Sequence, residues 1–222
     1  MLIKIRDLIL FIIDFIIHVD KHLGAIINEY GLLTYAILFC IVFVETGLVI
    51  MPFLPGDSLL FAAGAFAARP DIQLNVILLR GIIFAAAVIG DTVNYEIGKV
   101  LGKKAFEKYP KILKPKYLEK TENFYDKYGP MTIIYARFVP IVRTFAPFIA
   151  GVGKMRYVKF FSYNVIGGFV RSTLFLWVGY FFGNLEVIQK YFSLVILAII
   201  GVSILPMIIG WIMEQKKQKK TY

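Results

Sequence analysis

Long apolar tracts separated by short polar segments make up most of this chain. Four of them are each long enough to cross a bilayer as an α-helix, which takes about 20 residues: residues 31–51, 72–97, 160–182 and 187–213. Two further apolar tracts, residues 58–68 and 131–151, are shorter or are broken by proline and glycine. The pattern predicts an all-α integral membrane protein with about four to five membrane helices.

The two broken tracts predict re-entrant hairpins, which enter and leave the membrane by one face. Irregular backbone is tolerated at membrane depth only where protein or a water-filled cavity covers it. The tracts also correspond in order, with Pro55, Asp57 and Gly64 in the first and Pro140, Arg143 and Gly151 in the second. This correspondence predicts an inverted repeat of two halves. Chance similarity is the alternative, because the lengths of the tracts do not match closely.

One membrane domain, residues 1–222, accounts for the whole chain, since the predicted spans leave no room for a sizeable soluble domain. Asp14 interrupts the first apolar run and no small-residue cleavage site follows it, so a retained helix is expected rather than a cleaved signal sequence. Whether this helix spans the membrane or lies in the interface stays open. The predicted segments are an N-terminal amphipathic or membrane-seated helix (1–28), a first half with its hairpin (31–98), a lysine-rich loop (99–127), a second half with its hairpin (128–183), a last span (187–213) and a basic tail (214–222).

Composition and charge agree with this class. Hydrophobic residues make up 59% of the chain, charged residues only 18%, and the mean hydropathy is +0.71. The net charge of +10 is concentrated in the lysine-rich loop and the tail, which the positive-inside rule places in the cytoplasm together with the N-terminus. A solvated structural role is the first explanation of these lysines, and attraction to anionic membrane lipids is the alternative; binding of nucleic acid is not expected. A multi-pass protein of a bacterial or archaeal cytoplasmic membrane is expected.

No metal site or cofactor is expected. The single cysteine, Cys40, lies within an apolar tract, so the chain can form neither an internal disulfide nor a cysteine-based metal site.

Two carboxylates of the first half lie in otherwise apolar sequence. A charge at the bilayer centre costs about 2.5 to 3.5 kcal/mol even on insertion scales, so Glu45 and Asp57 are candidates for taking up and releasing protons. For Asp57 the alternative is an N-cap of a helix starting at Ser58, and for Glu45 a structural role. The residues that shape this segment are Gly47, Pro52, Pro55 and Gly56.

Two arginines occupy the second broken tract. Arg137 and Arg143 stay protonated and carry planar guanidinium groups that suit bidentate contact with phosphate. Pro140 and Pro147 interrupt the helix and free backbone groups beside them. The alternative is that the arginines only neutralise the buried carboxylates.

Asp91 and Tyr95 lie one helical turn apart on the tract that ends at the lysine-rich loop. Asp91 is a further candidate proton site or a group that orients an arginine. A structural bond between helices is an equally good explanation.

With these motifs the chain resembles the DedA family of bacterial membrane proteins, also called SNARE-associated or VTT-domain proteins. The resemblance covers about residues 31–183. It rests on Glu45-x-Gly47, Pro52-x-x-Pro55-Gly56-Asp57, Gly90-Asp91-x-x-x-Tyr95-x-x-Gly98, Phe138-x-Pro140-x-x-Arg143 and Ala150-Gly151.

The resemblance implies return of undecaprenyl phosphate or other phospholipids across the cytoplasmic membrane, driven by the proton motive force. It implies re-entrant helices, and activity that depends on Glu45, Asp57, Arg137 and Arg143. One departure is Arg171, which stands in a span where many members carry a tryptophan. A buried cation there would need Asp91, Glu45 or a lipid phosphate as its partner, or would have to reach the interface.

The sequence therefore favours a proton-coupled lipid flippase with no catalytic residue. A small-ion or proton exchanger would use the same carboxylates with the arginines as internal counter-charges. A lipid phosphatase is disfavoured because the histidines, His18 and His22, stand far along the chain from the arginines. A scaffold without transport is the last alternative. The oligomeric state is left open.

Overall fold

The computed structural model describes residues 29–48, 56–70, 74–102 and 115–183 as continuous stretches, and residues 24, 25, 27, 72, 185, 188, 191, 194, 195, 198, 199 and 201 singly. Every regular element in these ranges is helical. The helices are α1 (Leu33–Gly47), α2 (Gly56–Ala67), α3 (Val76–Leu101), α4 (Pro115–Tyr128), α5 (Thr132–Ala136), α6 (Pro140–Val152) and α7 (Tyr157–Gly183). A short 3₁₀ turn, Gly129–Met131, joins α4 to α5.

Two of the described helices, α3 with 26 residues and α7 with 27, are long and apolar enough to cross a membrane. The Asn75 side chain fixes the start of α3, because its Oδ1 accepts hydrogen bonds from the amides of Ile77 and Leu78 at 2.9 and 3.1 Å. Gly102, with a φ of 61°, ends the same helix in the left-handed region. The expectation of an all-α protein with membrane helices is confirmed.

Several helix bounds differ from the expected ones. The tract at 31–51 yields α1, which has 15 residues and ends at Gly47, where the chain becomes extended. A helix of that length is too short to cross the hydrocarbon core of about 30 Å. The predicted loop at 99–127 begins inside α3 and contains most of α4. Other predictions concern residues outside the described ranges, namely Pro52, Pro55, most of the N-terminal helix, most of the last span and the basic tail.

α1 accompanies α3 over only part of its length. At one end, the amide of Asn75 donates to the Tyr35 hydroxyl at 2.7 Å. At the other end, a Cβ on Gly47 would lie 3.5 Å from the backbone of Gly90, near the middle of α3. α1 therefore ends beside the middle of α3, and α2 packs along α7.

Two short helices each pack on one of the two long helices: α2 packs on α7, and α6 packs on α3. A Cβ on Gly64 of α2 would collide with backbone atoms of Leu176 and Tyr180, and one on Gly179 with the carbonyl of Phe61. The second pair repeats this close approach at glycine positions. A Cβ on Gly151 of α6 would collide with backbone atoms of Tyr95 and Lys99, and one on Gly98 with the carbonyl of Phe148.

We expect Gly98→Ala to lower the free energy of unfolding by about 1 to 3 kcal/mol, because the added methyl group meets the backbone carbonyl of Phe148, which cannot rotate away. Gly81→Ala, in the same helix, is the matched control, since a Cβ there meets nothing within 4 Å. The measurement is thermal unfolding in detergent. Equal melting temperatures for the two variants would contradict the close approach of α3 and α6.

Candidate functional site

Three acidic and three arginine side chains meet inside the described bundle. Five are buried and the sixth, Asp57, has a side chain that is 14% exposed. The acids all come from the first half of the chain and the arginines all from the second. They are Glu45 on α1, Asp57 on α2, Asp91 on α3, Arg137 at the end of α5, Arg143 on α6 and Arg171 on α7.

Four of these side chains form a closed group, which we call the four-residue ring: Glu45, Asp57, Arg143 and Arg171. Arg143 donates through Nη2 to Glu45 Oε1, and its Nη1 lies 3.7 Å from Asp57 Oδ2. Arg171 donates through Nε and Nη2 to Asp57 Oδ1, at 2.8 and 2.5 Å. Its Nη2 also lies 3.8 Å from Glu45 Oε1. Each arginine thus contacts both carboxylates.

Local sequence explains how the ring is placed. A Cβ on Gly56 would collide with the Glu45 carboxylate, so glycine lets this charge approach the first turn of α2. The partial positive charge of a helix N-terminus favours a carboxylate there. On the other side, α6 begins with Pro140 at its first position, which places Arg143 in the first turn of that helix.

The remaining two charges form a separate pair. Arg137 donates through Nη2 to Asp91 Oδ2 and to Asn164 Oδ1, and its Nη2 lies 3.3 Å from the Asn164 carbonyl. Asn164 is fixed in turn, because its Nδ2 donates to the Val88 carbonyl at 3.0 Å. A Cβ on Gly167 would lie 2.9 Å from Arg137 Cδ, so this glycine makes room for the side chain.

Asn94 on α3 connects that helix to α1 and α6 by hydrogen bonds. Its Nδ2 donates to the carbonyl of Thr46, near the end of α1, at 3.1 Å and to the carbonyl of Thr144 on α6 at 2.9 Å. Sequence reasoning did not select Asn94 or Asn164. The available signal was an amide side chain inside an apolar helix, which calls for a partner on another helix.

The structure tests several expectations about partners. Asp57 is bonded to Arg171, so capping of a helix at Ser58 is not its only role; the helix starts earlier, at Gly56. The principal partner of Arg171 is Asp57, which was not among the partners expected for it, while Glu45 is a second and more distant contact. Arg171 is buried and does not reach an interface.

Tyr95 stands apart from the charges although it shares the helix of Asp91. Its hydroxyl donates to the Met155 carbonyl at 2.5 Å, and its ring stacks on Phe160 with centroids 4.4 Å apart.

Pro147 lies inside α6, where it has no amide hydrogen to donate to the Arg143 carbonyl.

The charges of the six side chains sum to zero when all are ionised. Replacing buried ion pairs by apolar residues is often neutral or stabilising, so such a group is weak evidence for a stabilising role. Hydrogen bonding here is incomplete: among the described atoms, Glu45 Oε2, Arg143 Nε and Arg137 Nε are buried without a hydrogen-bond partner.

The part of the chain that the structure describes holds no cluster of three or more His, Cys, Asp or Glu side chains suited to a metal ion.

Comparison with known proteins gives a consistent result. Residues 54–181 match the model of the VTT domain. The chain is 53% identical over 211 residues to Protein DedA of Escherichia coli, covering 95% of this chain and 96% of that protein. It is 42% identical over 174 residues to an uncharacterized membrane protein of Mycobacterium tuberculosis, covering 78% and 76%.

A more distant relative is the inner membrane protein YqjA of Escherichia coli, which is 31% identical over 158 residues, or 71% of each chain. No solved structure matches the chain.

Proposed function

The chain belongs to the DedA family of VTT-domain membrane proteins, and from that premise we propose that it carries a phosphate-bearing lipid across the cytoplasmic membrane by proton-coupled transport. Undecaprenyl phosphate or a phospholipid is the proposed cargo, and no chemical step on the lipid is involved. The observation that carries this proposal is Arg143, a buried cation held between the two carboxylates Glu45 and Asp57.

The proposed coupling to protons follows from charge balance. A lipid phosphate that binds Arg143 replaces the carboxylates as its partner, and a carboxylate left without a cation in an apolar environment favours its protonated form. Proton uptake by Glu45 and Asp57 would therefore accompany phosphate binding, and proton release would accompany phosphate departure. The polar groups substitute for the water that a phosphate headgroup loses on entering the bilayer.

The two predicted phosphate ligands are assigned unequal parts. One of the two ion-pair contacts of Arg143 is 3.7 Å long. Arg137 is surrounded by Asp91 and Asn164. We assign phosphate binding first to Arg143. Arg137 and Asp91 are assigned to holding the second hairpin against α3 and α7. In this role Arg137 acts on the binding site indirectly, through the position of the hairpin.

An inverted repeat of two hairpins is part of the proposal. The end of α1 beside the middle of α3, the pairing of α2 with α7 and the pairing of α6 with α3 support hairpins opening to opposite faces. The lysine-rich loop and both termini are placed in the cytoplasm by their charge. In this arrangement every ion pair of the four-residue ring joins the first half of the chain to the second. Protonation of the two carboxylates therefore weakens the attachment of one half to the other.

The decisive measurement uses the full chain reconstituted in vesicles with a fluorescent polyprenyl phosphate. We expect a pH gradient across the vesicle membrane, acidic or alkaline inside, to speed translocation of the lipid in one direction and to slow it in the other. Vesicles without protein give the background rate.

Gradient-driven movement of protons and small ions with no lipid translocation would replace this proposal by the exchanger, which uses the same carboxylates with the arginines as fixed counter-charges. Absence of both activities would favour a scaffold.

A further inference from the structure

We propose that Arg171 is a second phosphate-binding cation, which with Arg143 makes the site selective for phosphate monoesters over phosphodiesters. This inference rests on the proposed function and adds the charge of the headgroup to it. Arg171 lies near the middle of α7, a helix long enough to cross the membrane, and it is buried. A cation in that position needs a buried anion.

Arg171 and Arg143 converge on the same two carboxylates. Both guanidinium groups contact Glu45 Oε1, at 3.8 Å in the case of Arg171 Nη2, and each also contacts Asp57. Arg137 differs, because its described contacts are with Asp91 and Asn164. The pair of cations able to share one ligand is therefore Arg143 with Arg171.

The charge of the ring decides which headgroup fits. A headgroup that takes the place of both carboxylates meets two guanidinium groups, and so two positive charges, in a buried place. A phosphate monoester, whose second pKa is about 6, carries nearly two negative charges near pH 7.5 and neutralises both. A phosphodiester carries one and leaves a cation without a partner, which is costly in a desolvated site.

The experiment measures binding to the detergent-purified full chain at pH 7.5, with a short-chain polyprenyl phosphate and its methyl ester as probes. We expect the unsubstituted protein to bind the monoester at least about tenfold more tightly than the methyl ester. In Arg171→Gln this ratio should fall to about one, with the methyl ester still bound. Arg80→Gln is the matched control, because Arg80 stacks on Phe169 at 5.0 Å, outside the ring, and should leave the ratio unchanged.

Each outcome decides the proposal. Equal binding of the two probes by the unsubstituted protein, or a preserved ratio in folded Arg171→Gln, would overturn the role of Arg171 while leaving lipid-phosphate transport intact. Binding of neither probe would instead remove the proposed function itself. If Arg171→Gln does not fold because Asp57 loses its partner, Asp57→Asn combined with Arg171→Gln removes both charges. That double variant is also expected to bind without preference, and a retained preference would overturn the proposal.

Discussion

Replacing Glu45 by glutamine should abolish gradient-driven lipid transport, with a loss of at least about a hundredfold, within the range seen when a group that transfers a proton is removed. Glu45 is completely buried, and its Oε1 accepts from Arg143. Glutamine keeps the shape and the acceptor oxygen but cannot release a proton. The proposed cycle passes through protonated Glu45, which glutamine imitates, so the protein should still fold and insert.

The assay is translocation of the labelled lipid with and without a pH gradient, next to a melting curve in detergent. Glu96→Gln provides the control, because Glu96 forms a half-exposed pair with Lys99 at 3.3 Å, a type of contact worth little. Asp57→Asn should resemble Glu45→Gln. Undiminished coupled transport in both variants would show that the carboxylates are structural.

Arg143→Lys should weaken binding of a short-chain polyprenyl phosphate by about 1 to 3 kcal/mol, or roughly five- to 150-fold. The guanidinium contacts Glu45 and Asp57 through two different nitrogen atoms. The single ammonium group of lysine cannot hold phosphate by two parallel hydrogen bonds. If Arg143 only neutralised the carboxylates, a point charge would largely suffice.

Direct binding of the same lipid to both proteins measures this effect, and the melting temperature checks that the variant is folded. Arg80→Lys, which changes an arginine outside the ring, should bind as the unsubstituted protein does. An affinity unchanged in Arg143→Lys would withdraw phosphate binding from Arg143 and favour the small-ion exchanger.

The sequence alone was sufficient to identify the class of protein and most of its charged centre. Apolar length predicts membrane helices because hydrocarbon excludes unpaired backbone groups, and α3 and α7 agree with it. The cost of burying charge makes Glu45, Asp57, Asp91, Arg137 and Arg143 conspicuous in apolar tracts. The structure finds each of them in an ion pair. These inferences need only local composition and spacing.

Only the tertiary structure decided where helices stop and which charges meet. The apolar tract at 31–51 is long enough to cross the membrane, so its hydropathy did not predict that α1 ends at Gly47, although Gly47 was among the residues expected to shape the segment. Contacts with α3, made by Tyr35, Thr46 and Gly47, show that α1 ends beside the middle of that helix.

Pairing was likewise beyond the sequence, because any of the three acids could in principle neutralise any of the three arginines. The order Glu45 with Arg143, Asp57 with Arg171 and Asp91 with Arg137 depends on which helices cross, and that depends on glycines such as Gly64 and Gly151 that admit a neighbouring backbone. Close packing between elements distant in the chain is a property of the assembled bundle, and no local pattern encodes it.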